Sequence, residues 1–432
     1  MEQLPPLAAE LPPLLPSSAN KQSARHWLAV VLSFCLALFL VDAVLSFADD
    51  SLILLFGAHA LSLIRGLISL VTLLMGLWLY AMMGLTPMIP KRLFLPIPLF
   101  FLGSMLGMVT LAIFWYHRVE QIAFAASAVE LLLAIGLLYL AANGRAHPTQ
   151  SSAAAPAASD ISPPVQGKRL FAWPLIRNEQ LGAKGFSWRN LSVFVLANVF
   201  VVLPAVAIYL FVCSAQAVSH FSEGFMALHP GGFTVQVRKY VRDDGKAIQL
   251  FPMAHVASAS FYRQVSQTFP SNSVILMEGV TDSADLLTNK ITYKRMAKSL
   301  GLSEQKETFA PSRGEMVRAD VDVDQFSAST IDFLNLMMLF HSRGVTAENI
   351  SKLAQYTPPP GFEKQLFDDL LTKRNEHLLG QIQSNLVTSD NIMVPWGVAH
   401  MPGLAREIQK FGFHLSETRE YVVIPFGHAR DR

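Results

Sequence analysis

Two histidines and a glutamate each close a short apolar run in the C-terminal half of the chain. His255 ends the stretch from Ala247, Glu278 ends the stretch from Ser273, and His400 ends the stretch from Ile392. In layered α/β proteins, loops beyond the carboxyl ends of strands converge on one crevice, so side chains at those ends can act together. Two imidazoles and a carboxylate in one crevice can ligate a divalent ion or carry out acid–base chemistry. Arg374, on a helix read over 362–386, would stabilise an oxyanion there or anchor Glu278. An ion pair with Asp368 or Glu376 is its alternative role, and Asn375 reads as a local hydrogen-bonding residue. A lone strand-end histidine is more often structural, so the case rests on the three residues together.

The elements that must position these groups alternate between strand and helix. Phe233 to Tyr240 alternates apolar and polar side chains, and Asp243-Asp244-Gly245 supplies a hairpin turn. A helix is expected over 258–268 and a buried strand over 274–277. Residues 284–300 read as a second helix ending at Gly301, and 327–341 as a third stopped by Gly344. The prolines at 358–360 precede the helix carrying Arg374. A strand at 392–395, a helix at 402–411 and a strand at 421–425 complete an expected α/β layered domain.

The chain has 432 residues, of which 52% are hydrophobic and 15% charged. With a mean hydropathy of +0.36, this balance is not that of an ordinary soluble enzyme. The apolar excess precedes residue 215. Apolar segments cover about 27–47, 52–83, 93–115, 122–142 and 191–213, each reaching the ~20 residues a bilayer span needs. The second is too long for one straight span, and we read its crossing as 61–83 with Arg65 near the interface. The resulting organisation is a flexible tail (1–26), four transmembrane helices (27–142), an Ala/Ser/Pro-rich linker (143–190), a fifth span (191–217) and a domain over 218–432. Lys21, Arg25, Lys91, Arg92 and the basic linker contrast with Asp49 and Asp50 in the first connection. The positive-inside rule then puts the N-terminus in the cytoplasm and the final domain outside a plasma (inner) membrane. A net charge of +2 without a basic run gives no case for nucleic acid. Cys35 and Cys213 both lie in apolar spans, which excludes a disulfide framework for the domain.

From Lys246 to Phe413 the residues resemble the TraB/PrgY family, which includes Tiki-type membrane metalloproteases and GumN-like bacterial proteins. The resemblance is carried by His255 with the following Val-Ala-Ser-Ala-Ser260, by the strand ending in Glu278, by Arg374-Asn375, and by Gly397-Val-Ala-His400-Met-Pro-Gly403. The last matches the family's Gly-x-x-His motif; in the first copy Pro252 stands in place of glycine. The resemblance implies a TraB/Tiki fold and a hydrolase, peptidase-like, dependent on a divalent metal such as Mn²⁺, Co²⁺ or Zn²⁺. His255 and His400 would hold the ion, Glu278 would be its third ligand or the general base, and Arg374 would assist. A peptide or protein at the membrane surface would be the substrate. The alternative is a non-catalytic protein of the same fold that sequesters a peptide signal, which the Pro252 departure favours.

Other patterns carry less. Asp320-Val-Asp-Val-Asp324 alternates carboxylates that could bind a cation, but reads better as a solvated strand or turn, without the glycine and terminal glutamate of a Ca²⁺ loop. His341, His377, His414 and His428 lack partners at ligand spacing. Asp42 and Glu130 fall inside apolar spans, where charge is costly; they are expected to pair with a base such as Arg65 or to line a bundle interior. A transporter is disfavoured, because the spans show neither a repeat nor broken-helix signals.

Overall fold

The computed structural model describes residues 18–143, 173–288, 293–344 and 346–427. The chain divides into two compact units, Met1–Tyr209 and Leu210–Arg432.

The first unit is helical. It contains α1 (Ser18–Phe56), α2 (Ser62–Leu85), α3 (Lys91–Phe94), α4 (Pro96–Phe114), α5 (Val119–Asn143) and α6 (Trp188–Ala197). A π turn over Asn198–Val202 joins α6 to α7 (Leu203–Phe221), so that Trp188–Phe221 is one apolar helix. Among the described residues, five helices are thus long and apolar enough to cross a membrane. Bulky apolar side chains such as Leu67, Leu74, Leu132 and Phe200 point outward, as lipid contact requires. Leu32, Leu36, Phe39, Leu79 and Leu137 form the interior.

Three expectations are corrected here. Helix α1 starts at Ser18 and runs to Phe56, so Asp49 and Asp50 are helical and buried rather than in a connection. The break falls at Gly57, whose φ of 64° suits glycine. Residues 52–56 complete α1, and the second crossing begins at Ser62. The end of the expected linker is not loose: Arg25 donates to the carbonyls of Asn178, Leu181 and Gly182, and the Ile176 N–H donates to Ser33 Oγ. The Ala/Ser/Pro tract itself, residues 1–17, and His428 lie outside the described residues.

The second unit is a mixed α/β layer. Its seven-stranded sheet has the order β1-β2-β3-β8-β5-β7, with β9 also on β2. The strands are β1 (Met226–His229), β2 (Gly232–Val241), β3 (Ala247–Met253), β5 (Val274–Met277), β7 (Glu315–Arg318), β8 (Asn391–Gly397) and β9 (His414–Pro425). A separate two-stranded ladder joins β4 (Val256–Ala257) to β6 (Ser303–Glu304). The β1, β2, β3 and β9 pairings are antiparallel, whereas β3-β8-β5-β7 is parallel throughout. Strands buried on both faces read as continuous apolar runs, which is why Ile-Met-Val and Val-Ile-Leu marked β8 and β5.

Helices α8 (Ala259–Gln267), α9 (Lys294–Leu300), α10 (Gln305–Thr308), α11 (Ala328–Arg343), α12 (Ala347–Gln355), α13 (Phe362–Phe367), α14 (Lys373–Asn385) and α15 (Met401–Lys410) surround the sheet. A π turn over Asp368–Thr372 links α13 to α14, within the single helix expected over 362–386. Leu378 and Ile382 of α14 pack with Leu404 and Ile408 of α15 over Ile392, Val394 and Trp396. Of the helix expected over 284–300, the described residues 284–288 are not helical, whereas Lys294–Leu300 is, ending at Gly301 with φ 67°. Upstream, the Asp282 carboxylate accepts the Leu286 and Leu287 N–H groups, and Asn335 Oδ1 accepts that of Thr288. Side chains have taken donors that a helix would have used.

Candidate functional site

Parallel pairing brings the chemistry to one edge of the sheet. Met253 is opposite Gly397 across β3 and β8, and Met277 is opposite Arg318 across β5 and β7. Past these strand ends Glu278, Asp320 and the turn from Gly397 to His400 are therefore neighbours, while His255 follows the end of β3 at the same edge.

Glu278 and Arg374 form the centre. Arg374 Nη2 donates to Glu278 Oε1 at 2.9 Å. The same guanidinium grips Asp320 with two bonds, Nε to Oδ1 at 2.9 Å and Nη2 to Oδ2 at 2.6 Å. The Asp320 side chain is 0% exposed and Arg374 13%. Asp320 also accepts the Gly279 and Val321 N–H groups, both at 2.9 Å. The solvated reading of the 320–324 segment is thus wrong for Asp320, which is a fully buried partner of the site. Asp322, the next carboxylate, caps the loop by accepting from Thr281 and Ser283. Arg374 pairs with neither Asp368 nor Glu376. Burial alone would weaken its charge, but the Asp320 and Glu278 carboxylates outweigh that and hold it protonated.

The other Glu278 oxygen accepts the Gly397 N–H at 2.6 Å. A Cβ on Gly397 would stand 3.5 Å from both carboxylate oxygens, in ordinary contact with them. His400 is buried at the start of α15, with Nε2 3.7 Å from Glu278 Oε1. Its Nδ1 meets Asn375 Oδ1 at 2.7 Å. With an amide oxygen facing it, Nδ1 must carry the proton, which leaves a lone pair on Nε2 turned to Glu278. Asn375, expected to bond only locally, thus fixes a tautomer on another helix. Gly403 permits this, since a Cβ there would come within 2.8 Å of Asn375 Nδ2. Trp396 lies under both groups. Its indole N–H donates to the Leu276 carbonyl at 2.9 Å, its ring centroid is 5.3 Å from Arg374 Cζ, and it meets the His400 ring edge-to-face.

Burial pushes the His400 pKa down to about 4 from 6.5; Arg374 acts in the same direction, while Glu278 and Asp320 oppose it. The linkage follows. Above the unfolded value both states hold a neutral ring, so the neutral form contributes its full share. As pH falls from about 6.5 to about 4 only the unfolded ring takes a proton, and stability declines by about 3 kcal/mol before levelling off. Thermal unfolding of the chelator-treated full chain between pH 7 and 4.5 should show this loss in the wild type. The His400→Gln variant should lack it, and identical slopes would disprove the linkage.

His255 stands apart from this group. Its ring is exposed and stacked on Tyr293 at 4.9 Å and 10°. It lines, with Glu278 and Arg374, a cavity of about 470 Å³ whose wall also includes the apolar Leu287, Phe309, Phe326, Leu334 and Met338. Burial, with Glu278 and Glu304 adding to it, raises the Tyr293 phenol pKa, so the phenol stays protonated at neutral pH. The structure therefore brings Glu278, Arg374 and His400 into contact and sets His255 on the wall of the adjoining cavity. Among the described residues no three His, Cys, Asp or Glu side chains are already gathered as a metal cage.

Pro252 is an ordinary residue of β3, buried and opposite Trp396 in the parallel ladder, beyond the last position paired to β2. No left-handed backbone is required there. Compared with models of known families, with curated proteins and with solved structures, the chain has no match.

Proposed function

We propose that the chain is a membrane-anchored, metal-dependent hydrolase of TraB/Tiki type, acting on peptides or protein ends at the outer face of a plasma membrane. The observation that carries this reading is the facing pair of His400 Nε2 and Glu278 Oε1. Across 3.7 Å the lone pair faces a carboxylate oxygen whose one charged donor is Arg374, an arrangement that a cation bound by both would favour further. A neutral imidazole with its other nitrogen held by Asn375 is the form that ligates a metal. On this reading His400 and Glu278 would be two ligands of a divalent ion, and His255, on the wall of the cavity that Glu278 also lines, would be brought in as the third. Such an ion would polarise a scissile carbonyl and acidify a water molecule.

The chain's own groups supply the rest. Glu278, which accepts from Arg374 and from the Gly397 N–H, would take the proton from the attacking water. Asp320 holds the guanidinium in place through two bonds, so that Arg374 orients Glu278 and faces developing negative charge. The apolar residues lining the cavity suit a hydrophobic side chain beside the scissile bond. Lys91, Arg92 and the basic residues before α6 favour the cytoplasmic side for their connections, which gives the second unit its outer location. Since Pro252 keeps an extended strand, it does not by itself favour the non-catalytic alternative.

The test is metal stoichiometry of the full chain in detergent after dialysis against Mn²⁺, Co²⁺ or Zn²⁺. The wild type should retain one ion of at least one metal, and His400→Ala should lose it with unfolding temperature largely kept. His255→Ala should weaken retention by about 10-fold or more if that ring completes the set. A folded wild type that retains none of the three would sink the metal reading.

A further inference from the structure

Polar stripes run along three helices of the first unit. On α1 they are Asp42, Ser46, Asp49 and Asp50; on α2, Ser62, Arg65, Ser69 and Thr72; on α5, Ser127 and Glu130. Spacings of three, four and seven put each set on one helix face. These faces meet in the interior. Ser69 Oγ donates to Asp42 Oδ1 at 2.6 Å, Ser62 Oγ to Asp49 at 3.0 Å, and Arg65 to both Asp49 and Asp50. Asp42 is 1% exposed, Asp50 3% and Glu130 6%. Asp42, Arg65 and Asp50 all act electrostatically on Glu130.

The balance of charge is uneven. Four buried carboxylates face one guanidinium, and that guanidinium is committed to Asp49 and Asp50. Glu130 Oε1 and Asp50 Oδ2 are buried with no hydrogen-bond partner among the described residues. Helix α4, also packed on α5, carries no titratable side chain; His59, His117 and Arg118, in the connections at the same end of the helices, are exposed. By helical rise Asp42 lies about 21 Å from the end of α1, and Glu130 about 16 Å from the start of α5. In a bilayer both are far from water, where unpaired carboxylates are costly and mark a binding site rather than an anchor.

We propose that this bundle binds a Na⁺ ion between Asp42 and Glu130. The available donors are all oxygen: the two carboxylates and the hydroxyls of Ser69 and Thr72, a hard set suited to a hard cation. One positive charge there offsets half the charge of the two carboxylates that Arg65 does not hydrogen-bond, and links α1, α2 and α5. The polar residues that look scattered along the chain are one site in space.

The experiment is thermal unfolding of the full chain in detergent at constant ionic strength, with choline chloride replaced stepwise by NaCl or KCl. Na⁺ should raise Tm saturably, by roughly 3–5 °C, and more than K⁺ does. Glu130→Gln, which replaces the charge by a neutral amide of the same shape, should unfold at a temperature indifferent to Na⁺. Asp42→Asn should behave alike if the first variant does not fold. Retention of ²²Na⁺ by the wild type, displaced by unlabelled Na⁺ but not by choline, is the independent readout. Equal Tm in Na⁺ and choline together with no retained ²²Na⁺ would overturn the proposal.

Discussion

Replacing Arg374 by leucine is expected to destabilise the second unit by about 3–5 kcal/mol, the cost of removing one partner from a buried charge group. The reason lies in what stays behind. Asp320 has no exposed side-chain surface, and Glu278 has only 10%. Without the guanidinium, two carboxylates would face each other in a site whose other polar partners are backbone N–H groups. Unfolding of the full chain by calorimetry should register a fall in Tm of roughly 10 °C for the transition of this unit. Arg374→Lys keeps the charge but not the planar fork that grips both Asp320 oxygens, and should lose a smaller share. Adding Asp320→Asn to Arg374→Leu should recover part of the loss, because it removes one of the stranded charges and keeps an acceptor for Val321 N–H. Were Arg374→Leu to melt within a degree of wild type, the ion group would not hold the strand ends together.

That group was only half legible in the chain. His255, Glu278 and His400 were readable because parallel strands buried on both faces are continuous apolar runs, and the residue closing each run is where the sheet delivers its chemistry. Asp320 was not. Its segment alternates aspartate and valine, which resembles a strand with one wet face, and β7 before it is the short, charged edge sequence Glu-Met-Val-Arg. Only the parallel pairing of β7 with β5 turns Asp320 toward Arg374, and such pairing leaves no local mark. The valines were the available signal, since Val321 and Val323 are fully buried. Asn375 was hidden similarly, because its partner is 25 residues away on another helix. In the first unit, Asp49-Asp50 looked like an interfacial connection because charge normally sits outside the bilayer. The compensating Arg65 lies on the next helix and comes within reach only when α1 continues to Phe56.

Glu278→Gln is expected to leave the fold intact and to lower hydrolysis by about 10²–10⁴-fold, the usual contribution of a positioned general base. The substitution is nearly isosteric. The amide oxygen can still accept the Gly397 N–H, and Arg374 keeps both bonds to Asp320, so the stability loss that threatens Arg374→Leu does not arise. What disappears is the negative charge beside His400 Nε2, and with it a proton acceptor and a metal donor. Under the proposed mechanism these functions act on the attacking water rather than on substrate binding. The fall should therefore appear in kcat while KM, set largely by the apolar cavity, changes little. Kinetics on a peptide identified from a hydrophobic-rich pool, at fixed Mn²⁺, Co²⁺ or Zn²⁺, would separate the two. Retained metal with lost kcat would identify Glu278 chiefly as the base; loss of both would make it a ligand as well. A Glu278→Gln protein hydrolysing at the wild-type rate would remove this carboxylate from the chemistry, and the proposed mechanism with it.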